Sequence, residues 1–319
     1  MEEIIRNFPK QFAWDPKIEN EGKLSRLGKY ILAGMGGSHL QGDILNTVAP
    51  ESNVFLHKDY GLPAFTKEDL SQYLLVASSY SGNTEETISA FKDAIQRRMG
   101  VAAISTGGQL LELAQSHKVP YIQIPDTGIQ PRMALGFGFR ALVKMIGSED
   151  LVESSGKLAF ELKAEEFEEQ GRTLAKKLEK RVPVVYSSQK NYAAAYIWKV
   201  KLNEGAKVPA FFNVFPELNH NELAGFSTKG ATGSHVLHFL FLKDSNDHPR
   251  IQKRMEVTER LYKAMGLEVS LLQLEGRTIL HKVFSSLLIA DWAAYDLALK
   301  YGADPEQTPI IEEFKKLMS

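Results

Sequence analysis

The chain has 319 residues, of which 44% are hydrophobic and 24% charged, with 38 Lys+Arg against 39 Asp+Glu and no cysteine. At roughly 150 residues per domain this allows about two domains, each large enough to bury a core without a disulfide or metal staple. A formal charge of −1 gives no footprint for nucleic acid or an anionic membrane, and the missing cysteines exclude disulfides, thiolate nucleophiles and cysteine-held zinc or iron–sulfur clusters.

In chain order, the start Met-Glu-Glu-Ile-Ile-Arg is acidic where a signal peptide is basic and then apolar, which points to a cytoplasmic protein. The arm over residues 1–23 carries no clear pattern and is open to packing on the second domain. Residues 30–35 form an apolar run that stops at Gly36-Gly37. Leu40, Ile44, Leu45 and Val48 then recur at helical spacing up to Pro50. Residues 53–56 and 73–77 read as strands, and the second breaks into a serine-rich loop over 78–84. Ile88, Phe91 and Ile95 follow at helical spacing, and apolar runs at 101–104, 110–114 and 121–124 complete the series. Continuous apolar strands alternating with helices indicate a parallel sheet covered on both faces.

Residues 151–181 change character. Glu161, Glu165, Glu166, Glu168 and Glu169 give way to Lys176, Lys177, Lys180 and Arg181, over a stripe of Leu162, Phe167, Leu174 and Leu178. Acid first and base last suits the helix dipole, so this segment is expected to be one long solvated linker helix. The alternation then restarts. Strands are expected at 182–186, 208–214, 235–242 and 269–274, with helices at 192–204, 251–265 and 278–300. The greasiest part of the last helix, 283–294, is interrupted by Ser285, Ser286 and Asp291 and is too short to span a bilayer. The expected architecture is α/β, with an N-terminal domain over 1–150, the linker helix over 151–181 and a C-terminal domain over 182–319. Each domain is a mainly parallel, flavodoxin-like sheet with helices on both faces.

The segment richest in chemistry is Ser79-Tyr80-Ser81-Gly82-Asn83-Thr84, where a strand feeds a helix. Hydroxyls at Ser79, Ser81 and Thr84, with the unpaired first-turn N–H groups, suit a phosphate without any lysine. The plainer alternative is a capping box of Asn83 with Glu86. Gly36, Gly37 and Ser38 form a second strand-to-helix turn in the same half. His39 stands where a dinucleotide fingerprint needs its third glycine, so a nicotinamide cofactor is not expected. Two glycines there let backbone approach a sugar, although a tight turn alone would also require them.

Among titratable groups, Glu204 ends a helix, and a surface ion pair with Lys201 is its plainer explanation. His220 lies in a polar knot, Arg132 precedes a glycine-interrupted helix, and Lys300 ends the last long helix, where a lysine favours the dipole. His235 and His238 are three apart on an expected strand and face opposite ways, and no metal-ligand motif occurs, so no metal is expected.

These segments recur together, in this order, in one family. Gly34-Met35-Gly36-Gly37-Ser38, Ser79 to Thr84, Gln130-Pro131-Arg132, Glu204-Gly205-Ala206-Lys207, Glu217 to Glu222 and Lys300 to Pro305 resemble the bifunctional phosphoglucose/phosphomannose isomerases, built from two sugar-isomerase (SIS) domains. The resemblance implies an isomerase that interconverts glucose 6-phosphate and fructose 6-phosphate, and mannose 6-phosphate as well, without a cofactor. It also implies that Ser38, Ser79, Ser81 and Thr84 hold the phosphate, with Gly36 and Gly37 beside them. Arg132 would sit at the C1–C2 end of the substrate, Glu204 would be the catalytic base, and His220 and Lys300 would serve ring opening. The resemblance further implies a homodimer in which His220 completes the neighbouring subunit's site. Two positions depart from the family. His39-Leu40-Gln41 places a bulkier group after the glycine turn. Ala293 stands where dual-specificity members are expected to carry threonine, which makes mannose 6-phosphate the less supported substrate. The competing readings are a non-catalytic SIS sensor of a sugar phosphate, and an SIS enzyme acting on an aminosugar or fructosamine phosphate.

Overall fold

A computed structural model describes residues 1–227 and 233–318. The chain divides into two compact units, one comprising Asn7–Leu162 and the other Met1–Arg6 with Lys163–Ser319. Helix α1 (Glu2–Asn7) opens the chain, and its first residues belong with the C-terminal unit. There Arg6 pairs with Glu168 at 2.7 Å and lies over the Trp292 ring.

The N-terminal unit runs β1 (Tyr30–Ala33), α2 (Gly37–Val48), β2 (Val54–His57), α3 (Lys67–Leu70), β3 (Leu74–Ser78), α4 (Glu85–Gln96), β4 (Gly100–Ser105), α5 (Gly108–Ser116), β5 (Tyr121–Gln123), α6 (Leu135–Ile146) and α7 (Glu149–Glu161). Its five strands are all parallel, in the order β2-β1-β3-β4-β5. β1 and β3 are buried at every position, which is why they read as unbroken apolar runs rather than alternating ones. Ile31, Ala33, Leu75, Ala77, Val101 and Ala103 pack on one face against Phe91, Ala94 and Leu110 of α4 and α5. On the other face α2 presses so closely that a Cβ at Gly42 would lie 2.5 Å from both Leu32 Cδ2 and Leu56 Cδ2.

The C-terminal unit runs α8 (Glu168–Leu178), β6 (Val182–Ser188), α9 (Tyr192–Glu204), β7 (Phe211–Phe215), β8 (Leu237–Lys243), α10 (Pro249–Ala264), β9 (Glu268–Gln273), α11 (Ile279–Lys300) and α12 (Pro309–Met318). Its strands are again parallel, in the order β7-β6-β8-β9. An aromatic cluster of Tyr186, Phe215, Phe239, Phe241 and Tyr262 fills the face under α10. Two similar parallel α/β folds are therefore present, as the alternation of the sequence indicates.

The single helix expected over 151–181 is instead two. α7 ends at Glu161, Leu162 is extended at φ −81° and ψ 126°, and a short 3-10 turn precedes α8. Leu162 and Ala164 are 2% and 0% exposed, so the break is held by burial. Neither helix is solvated all round, since α7 buries Leu158 and α8 buries Leu174, Ala175 and Leu178. Strands β7 and β8 also start later than expected, at Phe211 and Leu237. Helix α12 carries no counterpart in the sequence reading. Among the described residues no helix is long and apolar enough to cross a membrane.

Candidate active site

A parallel sheet of order 2-1-3-4-5 reverses its strand order between β1 and β3, and such sheets bind ligands in the crevice outside the C-terminal ends of those strands. The glycine turn follows β1 and the serine loop follows β3, so the fold brings both sequence-selected segments to this crevice. They touch there, with the Tyr80 backbone N–H donating to Ser38 Oγ at 2.8 Å. Gly36 is left-handed at φ +52°, a conformation that favours glycine. At Gly37 a Cβ would lie 2.6 Å from the Pro131 carbonyl carbon and 2.8 Å from the Arg132 nitrogen. Glycine at this position is what lets the backbone of Arg132 close against the turn. Arg132 itself is 1% exposed.

Within the serine loop the hydroxyls divide their work. Ser79 is fully buried; its Oγ accepts the Gly82 N–H at 3.0 Å and lies 2.8 Å from Thr84 Oγ1. Ser79 thus orders Thr84 from below, while Thr84 is half-buried and Ser81 is exposed. The loop is braced against the segment after β4. Gly82, at φ +73°, has no room for a Cβ, which would fall 1.8 Å from the Gly107 carbonyl oxygen. The capping-box alternative does not hold, because Thr84 and not Asn83 occupies the N-cap and no side chain caps α4. Asn83 Oδ1 instead accepts the Gln109 N–H at 3.1 Å. The first helical bond of α4 is Ile88 N–H to Thr84 at 3.0 Å, so the N–H groups of Glu85, Glu86 and Thr87 precede it. An uncapped helix N-terminus beside two accessible hydroxyls has the donors to hold an anion. His39, the bulky residue after the turn, is 1% exposed with Nε2 3.2 Å from Asp43 Oδ2. Its bulk goes into the body of the unit.

The acid–base candidates belong to the C-terminal unit. The surface pair of Glu204 with Lys201 fails, since Lys201 is 1% exposed and its ammonium sits 2.6 Å from Asp291. Helices α9 and α11 run side by side in one direction. Trp198 Nε1 donates to Ser286 Oγ at 2.8 Å, Lys201 meets Asp291, and Gly205 lies against Ala294. Glu204 and Lys300, each the last residue of its helix, therefore lie toward the same end, where the strands begin. Lys300 is exposed and 2.8 Å from Glu179, whose hydrogen bond pushes its ammonium pKa up. A cavity of about 460 Å³ adjoins this end, lined by Lys180, Arg181, Ala206, Lys207 and Tyr301 among others. His220 is elsewhere. It is exposed in a 3-10 turn (Glu217–His220) leaving the far end of β7. The five residues of β7, at ~3.3 Å each, separate the two ends by about 16 Å.

Sequence reasoning missed how the second crevice is closed. The equivalent reversal between β6 and β8 holds Asp244 and Asp247, each 4% exposed. Lys282 Nζ lies 2.6 Å from Asp244 Oδ1, Ser188 Oγ donates to Asp247 Oδ1 at 2.8 Å, and Asn191 Nδ2 bridges both carboxylates. Burial pushes the Asp247 carboxyl above its ordinary pKa. This crevice is thus filled by a lysine-paired carboxylate cluster, where the first is lined by hydroxyls. The signal was present as a strand ending in Lys-Asp-Ser-Asn-Asp. Among the described residues no group of three or more His, Asp or Glu side chains is placed to hold a metal ion.

Comparison with known proteins bears on this arrangement. Residues 167–318 match the family described as bacterial phospho-glucose isomerase C-terminal SIS domain. The chain is 32% identical over 317 residues to the bifunctional phosphoglucose/phosphomannose isomerase of Aquifex aeolicus, covering 98% of this chain and 96% of that protein. The chain belongs to the bifunctional phosphoglucose/phosphomannose isomerase family. A second relative of the same name, from Caldicellulosiruptor bescii, is 34% identical over 341 residues, covering 100% of this chain and 99% of that protein. Among solved structures, tagatose-6-phosphate ketose/aldose isomerase from Escherichia coli superposes with a TM-score of 0.69. It shares 16% identity and covers 95% of this chain and 93% of that one, a likeness of fold alone.

Proposed function

We propose that this protein is an aldose–ketose isomerase that interconverts glucose 6-phosphate, fructose 6-phosphate and mannose 6-phosphate through a cis-enediolate. The observation that carries this is its full-length similarity to the bifunctional isomerases. Alongside it stands an uncapped, hydroxyl-lined helix N-terminus in the crevice between β1 and β3. Ser81, Thr84, Ser38 and the first-turn N–H groups of α4 hold the phosphate, with Ser79 ordering Thr84. Lys300 and His220 open the ring, one donating a proton to the ring oxygen and the other taking the anomeric hydroxyl proton. The Glu204 carboxylate then removes the C2 proton of the open-chain aldose. The electron pair moves to the carbonyl oxygen and leaves an enediolate, which the Arg132 guanidinium stabilises. Returning the proton to C1, with the O2 proton passing to O1, yields the ketose. Loss of a positioned general base costs typically ~10²–10⁴-fold and loss of an oxyanion stabiliser on the order of 10²–10³.

The same enediolate gives either aldose, depending on which face of C2 is reprotonated. Ala293 is fully buried, and a Cβ on Gly171 of α8 would come within 2.9 Å of its nitrogen.

The working enzyme is a cytoplasmic homodimer. Support comes from the separation of His220 from Glu204 and Lys300 within one unit, which calls for a second subunit to bring them together. Helix α12 points the same way, with Ile310 72%, Phe314 61% and Leu317 81% exposed along one stripe. The test is turnover of fructose 6-phosphate with EDTA present, read by dehydrogenases specific for glucose and mannose products. Mixing Glu204→Gln with His220→Ala subunits should then regenerate activity. Sugar-phosphate binding without turnover would support a sensor, and release of ammonia from an aminosugar phosphate would support the amine chemistry.

A further inference from the structure

Tyr186 is one of two tyrosines in its aromatic cluster. It is 0% exposed, with its ring centroid 5.4 Å from those of Phe239 and Phe241 and 5.9 Å from that of Phe215. Phenylalanine would pack there without a buried hydroxyl to satisfy, and an unpaired one costs roughly 1–3 kcal/mol. The hydroxyl has a partner in Glu222, to which it donates, and it lies 3.4 Å from Tyr262 Oη. The other Glu222 oxygen accepts from Asn213 Nδ2 on β7. Asn213 is itself fixed, since its Oδ1 accepts the Val214 N–H at 2.8 Å. Burial above all, with Tyr262 and Glu222 adding to it, holds the Tyr186 hydroxyl far above the usual tyrosine pKa, so it stays a donor.

Glu222 is two residues from His220. On the other flank, Asn219 Nδ2 donates to Thr258 Oγ1 of α10 at 2.9 Å, and Arg254 donates to Asn219 Oδ1 at 3.3 Å. Asn221 Nδ2 closes the turn on Glu217 at 2.9 Å. The imidazole is exposed while the side chains on both sides of it are tied to the sheet and to α10.

We propose that Glu222 is a positioning residue for His220, its carboxylate fastening the histidine turn to the sheet through Tyr186 and Asn213. This rests on the ring-opening role given to His220 above. Glu222→Gln is a sharp probe. An amide can accept from Tyr186, but it then turns its NH₂ toward the Asn213 NH₂, whose oxygen is already committed.

The experiment is a double-mutant cycle on fructose 6-phosphate turnover with wild type, Glu222→Gln, His220→Ala and the double variant, together with Tyr186→Phe. Glu222→Gln is expected to lower kcat about tenfold with KM nearly unchanged, and to have no further effect once His220 is alanine. Tyr186→Phe should follow the same pattern, with the fold of each variant checked by circular dichroism. Additive losses in the His220→Ala background would overturn the proposal, because Glu222 would then act on the fold generally. Full activity of Glu222→Gln beside an impaired His220→Ala would overturn it too. Full activity of His220→Ala would instead remove His220 from the chemistry, and the Glu222 role with it.

Discussion

The Lys201 ammonium lies 2.6 and 2.7 Å from the two carboxylate oxygens of Asp291, and both side chains are 1% exposed. This buried pair joins α9, which ends in Glu204, to α11, which ends in Lys300. Breaking such a pair strands a charge, whereas replacing both partners with apolar groups does not. Asp291→Asn should therefore destabilise the protein by about 3–5 kcal/mol, and Lys201→Met with Asp291→Leu should recover most of that loss. Urea unfolding of the two variants beside the wild type checks it. Equal losses in single and double variants would mean that the pair does more than neutralise itself.

Glu204→Gln keeps size and hydrogen bonding while removing the proton acceptor. Turnover should fall by roughly 10³-fold with little change in KM and an unchanged melting temperature. A variant retaining a tenth of wild-type kcat would take Glu204 out of the base role.

Ser81→Ala and Thr84→Ala remove accessible hydroxyls from the cradle. A hydrogen bond to a charged group is worth about 1.5–3 kcal/mol, so each should raise KM about tenfold or more with kcat largely kept. Gly82→Ala should be worse, because both its left-handed φ and the carbonyl of Gly107 oppose a methyl group. Steady-state kinetics, with inorganic phosphate as a competing ligand, separates binding from chemistry.

Much of this was legible in the sequence, for a simple physical reason. Strands buried on both faces, such as β1 and β3, must be apolar throughout, and glycines and hydroxyls then mark where the sheet opens. The two-helix linker was less legible. Opposite charges at its ends suggested one dipole, yet the step from Leu162 to Phe167 spans five residues, which no helical stripe allows. The partner of Lys201 was out of reach because Asp291 is 90 residues away. The Asp244 and Asp247 pair was marked only by its place at the end of a strand, since two surface-type residues in a polar turn give no sign of their burial.

His238 is 3% exposed, and burial lowers its pKa, with Glu268 at 3.3 Å opposing that shift. The folded pKa thus lies below the value near 6.5 of the unfolded chain. Above that value the imidazole is neutral in both states and costs nothing. As pH falls through it the unfolded chain binds the proton first, so stability drops until the folded pKa is passed. His238→Gln should flatten this drop on the acid side of pH 6.5, measured as melting temperature against pH. An unchanged slope would assign it to other groups.

Phe314→Glu places a charge in the middle of the exposed α12 stripe. It should shift the protein toward monomer in sedimentation velocity, and lower specific activity at low protein concentration if subunits share sites. An unaltered dimer would leave α12 with no part in assembly.

The most direct test of the central claim is isomerisation of fructose 6-phosphate in D₂O, followed by proton NMR of the product. A carboxylic acid that has taken the C1 proton can exchange it with solvent before delivery to C2, and whatever exchanges appears as deuterium at that carbon. The account predicts deuterium at C2 of glucose 6-phosphate with the wild-type protein, and loss of both turnover and exchange in Glu204→Gln. A Glu204→Gln variant that turns over and exchanges at the wild-type rate would contradict a proton transfer through this carboxylate.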